Sequence, residues 1–95
     1  MGVDVTGVKG PYPAQDLVAW GRSQLEIARS ILDNPGGGLL FATQAIGQVR
    51  ASLQERDEER FGEVVETLDR AEERGIRREF EEARKLIGEA ISKLG

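Results

Sequence analysis

Apolar residues recur at intervals of three and four along most of this chain, and this repeat constrains the fold more than any other feature. The clearest run is Leu39, Ala42, Ile46, Val49 and Leu53, a 3-4-3-4 spacing. Residues at this spacing lie on one face of an α-helix, so the run predicts a helix that buries a single stripe. A chain of 95 residues forms one domain with a modest core.

Breaks in the repeat divide the chain into four predicted helices. Asn34–Gly38, with the sequence NPGGG, separates the first two, because proline cannot continue a helix and glycine lets the chain reverse. Gly75 is predicted to adopt the left-handed conformation after the third helix, with Ile76 as its apolar contact. The expected fold is all-α, a compact antiparallel bundle of four helices at residues 14–33, 38–54, 57–74 and 77–94.

The boundary between the second and third helices carries the weakest signal. The apolar stripe jumps from Leu53 to Phe61, but the segment between them contains neither glycine nor proline. Asp57, followed by two glutamates, suits a helix N-terminus and favours a tight hairpin at Glu55–Asp57. The alternative is one continuous helix over residues 38–74, about 55 Å long, in a bundle of three helices that would require a partner chain.

Residues 1–13 are predicted to form an extended N-terminal arm, separate from the helical bundle domain at residues 14–95. Pro11 and Pro13 favour an extended backbone around Tyr12. Such an arm is either flexible or bound to a partner. In the second case, Tyr12 would pack on the bundle or on a neighbouring subunit.

The chain contains neither cysteine nor histidine. Their absence removes disulfides, thiolate metal sites and the usual general base. No apolar run is long enough to span a bilayer, and the N-terminal residues lack the order of a signal peptide. We therefore expect a cytoplasmic protein with no cofactor, no bound metal and no membrane partner.

Acidic pairs with the spacing Glu-x-x-Glu occur in the second half of the chain, for example Glu63 with Glu66, which is followed by Asp69. These pairs resemble the magnesium ligands of the all-α nucleotide pyrophosphatases. A metal site needs ligands that converge between helices, whereas these carboxylates lie on the side of the third helix away from Phe61 and Leu68. A magnesium-dependent nucleotide hydrolase is therefore the third-ranked interpretation, and we expect no enzymatic activity.

Charge is concentrated in the second half of the chain. Residues 1–54 hold four basic and four acidic side chains and residues 55–95 hold nine and thirteen, so 22 of the 30 charges lie in the last 41 positions. The charge-poor faces of helices one and two are therefore candidate contact surfaces. We predict a protein–protein interaction protein, either a homo-oligomer (a dimer) or an adaptor or assembly subunit on a larger protein partner. The predicted contact residues are Tyr12, Trp20, Gln24, Leu40 and Phe41.

Arginines cluster where the third and fourth predicted helices meet, at Arg70, Arg74, Arg77 and Arg78. Arginine binds phosphate well, so the alternative function is a small helical subunit of a nucleoprotein complex that contacts phosphates through Arg70–Arg84. Glutamates interleave with these arginines, and the net charge of −4 opposes nucleic-acid binding. Nucleic acid is therefore the second-ranked partner.

Overall fold

The computed structural model describes residues 14–34 and 36–95, with side chains from Asp16 onward. These residues form four α-helices and no strand, which confirms the predicted all-α fold. The helices are α1 (Ala14–Asp33), α2 (Leu39–Arg56), α3 (Gly62–Ile76) and α4 (Phe80–Leu94). The predicted N-terminal arm, with Tyr12, lies outside the described residues.

The four helices form a ring in which each packs on the next and α4 packs on α1. Short connections make neighbouring helices antiparallel. Each helix turns its apolar stripe inward, and the α2 stripe is buried at Ala42, Ile46, Val49 and Leu53, as predicted. The largest fully buried side chains are Leu17, Leu25, Leu32, Ile46, Val49, Leu53, Leu68 and Ile87.

Gly21 lies where α1 packs against side chains of both neighbouring helices. A Cβ atom at this position would lie 3.4 Å from Val49 Cγ1 on α2 and 3.8 Å from Leu94 Cδ1 on α4. The glycine therefore lets side chains from both neighbouring helices pack against the α1 backbone.

A single turn at residues 57–61 joins α2 to α3 and excludes the continuous-helix alternative. The Asp57 carboxylate accepts a hydrogen bond from the Arg60 backbone N–H at 3.0 Å, and the Phe61 N–H donates to the Asp57 carbonyl at 3.0 Å. Asp57 therefore caps this turn, whereas Phe61 occupies the N-cap of α3. The predicted break between the second and third helices is confirmed, but its predicted position at Glu55–Asp57 is wrong, because α2 continues through Arg56 and the turn occupies residues 57–61. The predicted start of α3 at residue 57 is wrong for the same reason.

The turn between α3 and α4 is a Schellman motif in which Arg78, rather than Gly75, adopts the left-handed conformation. The Glu79 N–H donates to the Arg74 carbonyl at 2.9 Å and the Arg78 N–H to the Gly75 carbonyl at 3.0 Å, the two hydrogen bonds that define the motif. Arg78 has a φ of 64°. The prediction for Gly75 is wrong because α3 continues through Ile76.

Gly75 lies buried inside α3 and faces α2. A Cβ atom there would lie 3.6 Å from Thr43 Cγ2, an ordinary packing distance. Ile76, which was expected to make an apolar contact at the helix end, is 63% exposed. The apolar stripe of α4 begins at Phe80, since residues 77–79 form the turn.

Substitutions at Gly75 and Arg78 should both stabilise the protein. Gly75→Ala adds a methyl group at packing distance inside a helix, and we expect a gain of about 0.5–1 kcal/mol in the free energy of unfolding. Arg78→Gly removes the steric cost of a left-handed arginine, and we expect a gain of similar size, about 0.5–1 kcal/mol. Urea denaturation measures both. A loss of stability in Gly75→Ala would show that glycine is needed there.

Truncation of Leu68 should destabilise the protein far more than truncation of Ile76, although both are large apolar residues of α3. Leu68 is fully buried, so Leu68→Ala should cost about 2–5 kcal/mol of unfolding free energy. Ile76→Ala removes an exposed side chain and should change the same quantity by about 0.5 kcal/mol or less. Thermal denaturation followed by circular dichroism compares them, and equal losses would contradict the placement of Ile76.

Candidate interaction surfaces

The outer side of the α1–α2 pair carries two rows of uncharged residues. On α1, Arg29 lies against Gly88 of α4, since a Cβ there would lie 3.3 Å from the arginine Nη1. Each residue advances about 100° around a helix, so residues spaced four, three and four apart follow one line along it. One such row lies on the flank of α1 that is opposite Arg29 and faces α2. This row is Trp20, Gln24, Ile27 and Ile31.

A matching row follows the α1-facing flank of α2. Gly47 and Thr43 fix the α3-facing flank, because they lie against Glu72 and Gly75 respectively. The opposite flank carries Phe41, Ala45, Gln48 and Ser52, again at a 4-3-4 spacing. We call the two rows together the uncharged face: Trp20, Gln24, Ile27, Ile31, Phe41, Ala45, Gln48 and Ser52.

The uncharged face exposes large apolar side chains. Phe41 is 67% exposed and Ile27 50% exposed. Trp20 and Gln24 are half-buried, and Trp20 packs against the edge of the core. Three of the predicted contact residues, Trp20, Gln24 and Phe41, therefore share one surface, and Ile27, which was not among the predicted contact residues, is half-exposed on the same surface.

Leu40, the remaining predicted contact residue in the described chain, lies on a different surface. It is 64% exposed and lines a depression with Leu39, Thr43, Ile76 and Arg78. A second depression adjoins it and shares Ile76, and a third adjoins the second and shares Arg50 and Asp69. The three depressions follow the border between α2 and α3, and we call them together the α2–α3 groove.

An ion pair crosses the middle of the α2–α3 groove. Arg50 Nη2 lies 3.0 Å from Glu72 Oε1, and both side chains are about three-quarters buried. The other carboxylate oxygen of Glu72 lies 3.4 Å from where a Gly47 Cβ would stand. Arg50 Nε is buried and has no hydrogen-bond partner among the described residues. The pair is held against the α2 backbone because Gly47 leaves space for the carboxylate.

The acidic pairs considered as metal ligands lie on the surface of α3. Glu63, Glu66 and Asp69 are all exposed, on the side away from the buried Leu68. Among the described side chains, no three carboxylates are grouped so that they could hold a metal ion.

The four arginines of the predicted phosphate cluster are partly neutralised. Arg74 Nη1 lies 2.8 Å from Glu79 Oε1, and Arg77 Nη2 lies 3.2 Å from Glu73 Oε2. The hydrogen bond that Arg74 donates to the Glu79 carboxylate raises the pKa of the Arg74 guanidinium above its ordinary value. Arg70 and Arg78 are exposed. The cluster is therefore a mixed set of charges around the α3–α4 turn.

The groove between α1 and α4 is also mixed in charge. It is lined by Glu26, Asp33 and Glu81 together with Arg29, Arg84 and Lys85. Arg29 pairs with Glu26 at 2.7 Å, and Arg84 with Asp33 at 3.4 Å. Positive and negative charges balance along this surface, which distinguishes it from the uncharged face and from the more acidic α2–α3 groove.

Sequence reasoning missed Ile27 and Ile76 as surface residues. Both belong to apolar repeats, but the two positions lie near the edge of their stripes. For Ile27, the neighbouring charged residue Glu26 was the feature of the sequence that could have indicated exposure, because it marks the edge of the apolar face of α1. The signal for Ile76 depended on the turn geometry, because only the left-handed Arg78 decides where α3 ends.

No protein family, curated protein or solved structure matches this chain. Within residues 14–34 and 36–95, none of the helices combines the length and the apolar character needed to cross a membrane.

The Arg50–Glu72 ion pair should contribute measurably to stability, because both partners are largely shielded from water. We expect a coupling energy of about 0.5–1.5 kcal/mol from a double-mutant cycle of Arg50→Met and Glu72→Gln. The exposed pair Arg29–Glu26 is the matched control, and the cycle of Arg29→Met and Glu26→Gln should give about 0–0.5 kcal/mol. Equal coupling energies would contradict the shielding of the first pair.

Proposed function

We propose that this protein acts by self-association through the uncharged face and catalyses no reaction. The supporting observation is the exposure of Phe41 and Ile27 within two uncharged rows, beside a core that the four helices already close. Burying these side chains against a second molecule removes apolar surface from water, which favours association.

The absence of charge favours a second copy as the occupant of this face. In a two-fold dimer the same patch lies on both subunits, so a charged patch meets its own charge. The eight residues of the uncharged face avoid that repulsion. The α1–α4 and α2–α3 surfaces, in contrast, carry several charges each. The uncharged face is therefore the surface best suited to a symmetric dimer.

A larger protein partner on the same face is the second form of the proposal, with the protein as an adaptor or assembly subunit.

Ion pairs at Arg74 and Arg77 reduce the support for the phosphate-binding alternative. We propose the cytoplasm as the compartment, because a chain without cysteine is compatible with reducing conditions.

Light scattering across a concentration series tests self-association with the full chain. We expect a reversible dimer whose dissociation constant changes little with salt, because the contact surface has no charges to screen. Phe41→Asp places a charge in the contact and should raise the dissociation constant roughly 30-fold or more. Ile27→Asp should act in the same direction.

Ala51→Asp is the matched control for these variants. Ala51 is exposed on α2, about 80° around the helix from Phe41, so the same charge should leave the dimer intact. Circular dichroism confirms that each variant folds. A monomer at every concentration would rule out self-association, and an equal effect of Ala51→Asp would show that the uncharged face is not the contact.

A further inference from the structure

The α2–α3 groove has apolar and acidic halves. At one end, Leu40 and Ile76 expose more than 60% of their surface, beside the half-buried Leu39. At the other end, the charged lining residues are Glu58, Glu66 and Asp69, together with Arg50, which is paired with Glu72. The two halves adjoin along the α2–α3 border, because the depressions that form them share Arg50, Asp69 and Ile76 as lining residues.

Carboxylates at the acidic end have no cationic partner in the described chain. Glu72 and Glu73 are paired with Arg50 and Arg77. Glu58, Glu66 and Asp69, in contrast, take part in no ion pair among the described residues. The acidic end therefore keeps a net negative charge, which an incoming cation can neutralise without breaking an existing pair.

The charges make a second copy a poor occupant of this groove. A two-fold contact through the acidic end would bring Glu66 and Asp69 of one subunit close to the same carboxylates of the other. A partner with a basic side opposes no such charge. It also supplies apolar side chains to Leu40 and Ile76 if those lie on the same side as its basic residues.

We propose that the α2–α3 groove binds a cationic amphipathic helix of a partner protein. The partner's apolar side chains pack on Leu40 and Ile76, and its lysines or arginines contact Glu58, Glu66 and Asp69. Glu66 and Ile76 are ten residues apart on α3, which is about 15 Å along the axis. A helix of three to four turns spans that distance, and an amphipathic helix in a groove is a common mode of peptide recognition.

A synthetic peptide tests this proposal directly with the full chain. The probe is a fluorescently labelled, alanine-rich peptide of about 16 residues, with leucines on one face of its first half and lysines on the same face about 15 Å further along. Fluorescence anisotropy measures binding. We expect saturable binding that weakens as salt increases, and loss of binding when glutamates replace the lysines.

Variants of the groove and a matched pair outside it separate specific binding from general attraction to an acidic protein. Glu66→Lys with Asp69→Lys should weaken the peptide tenfold or more. Glu81→Lys with Glu89→Lys changes the net charge equally on α4 and should have a small effect. Leu40→Asp with Ile76→Asp should also weaken binding. When the peptide is added to the unaltered protein, the backbone amide shifts in NMR spectra should change along α2 and α3.

The proposal is overturned if the unaltered protein does not bind the lysine peptide, if the α4 pair weakens binding as much as the groove pair, or if the groove variants bind normally. Its outcome is independent of self-association. Phe41→Asp should abolish the dimer and leave peptide binding unchanged, so each proposal can fail while the other stands.

Discussion

Burial of one narrow apolar stripe on each helix is the constraint on which the rest of this structure depends. A helix with a single stripe can satisfy it only by turning that stripe toward a shared centre, and four such helices close into a ring. The core consists almost wholly of aliphatic residues, with Thr67 as the buried polar side chain among the described residues. Thr67 is satisfied locally, because its hydroxyl donates to the Glu63 carbonyl at 2.9 Å. The buried core of the described residues is therefore apolar apart from the Thr67 hydroxyl.

The packing of the four helices into a ring also explains why the outer surfaces between neighbouring helices differ from one another. Each pair of adjacent helices leaves an outer groove whose character depends on the residues that flank its two stripes. Few charges occur in the first half of the chain, so most of the α1–α2 flank is uncharged, with Asp16 and Arg56 at one end, whereas α3 brings carboxylates to the border between α2 and α3. Gly21 and Gly47 lie at helix contacts, where the absence of a side chain leaves space for residues of the neighbouring helices. The bundle thereby presents two outer surfaces of different chemistry, one largely uncharged and one more acidic.

The helices were predictable from the sequence because their apolar spacing is regular, as for Ala42, Ile46, Val49 and Leu53. Their ends were less predictable, because a turn depends on backbone geometry that residue identity constrains only weakly. Gly75 looked like the helix terminator, yet the left-handed position is occupied by Arg78. The uncharged face followed from charge distribution, while the α2–α3 groove required knowledge of which helices are neighbours and where α3 ends.

The up-and-down order of the helices also determines where the ends of the described bundle lie. α1 begins and α4 ends at the same pole, whereas Leu40 and Ile76 lie at the opposite pole, beside the two turns that enter α2 and leave α3. With 18 residues in α2, the poles are about 27 Å apart. The two ends of the described helical bundle therefore lie together at one pole, and the exposed Leu40 and Ile76 lie at the other.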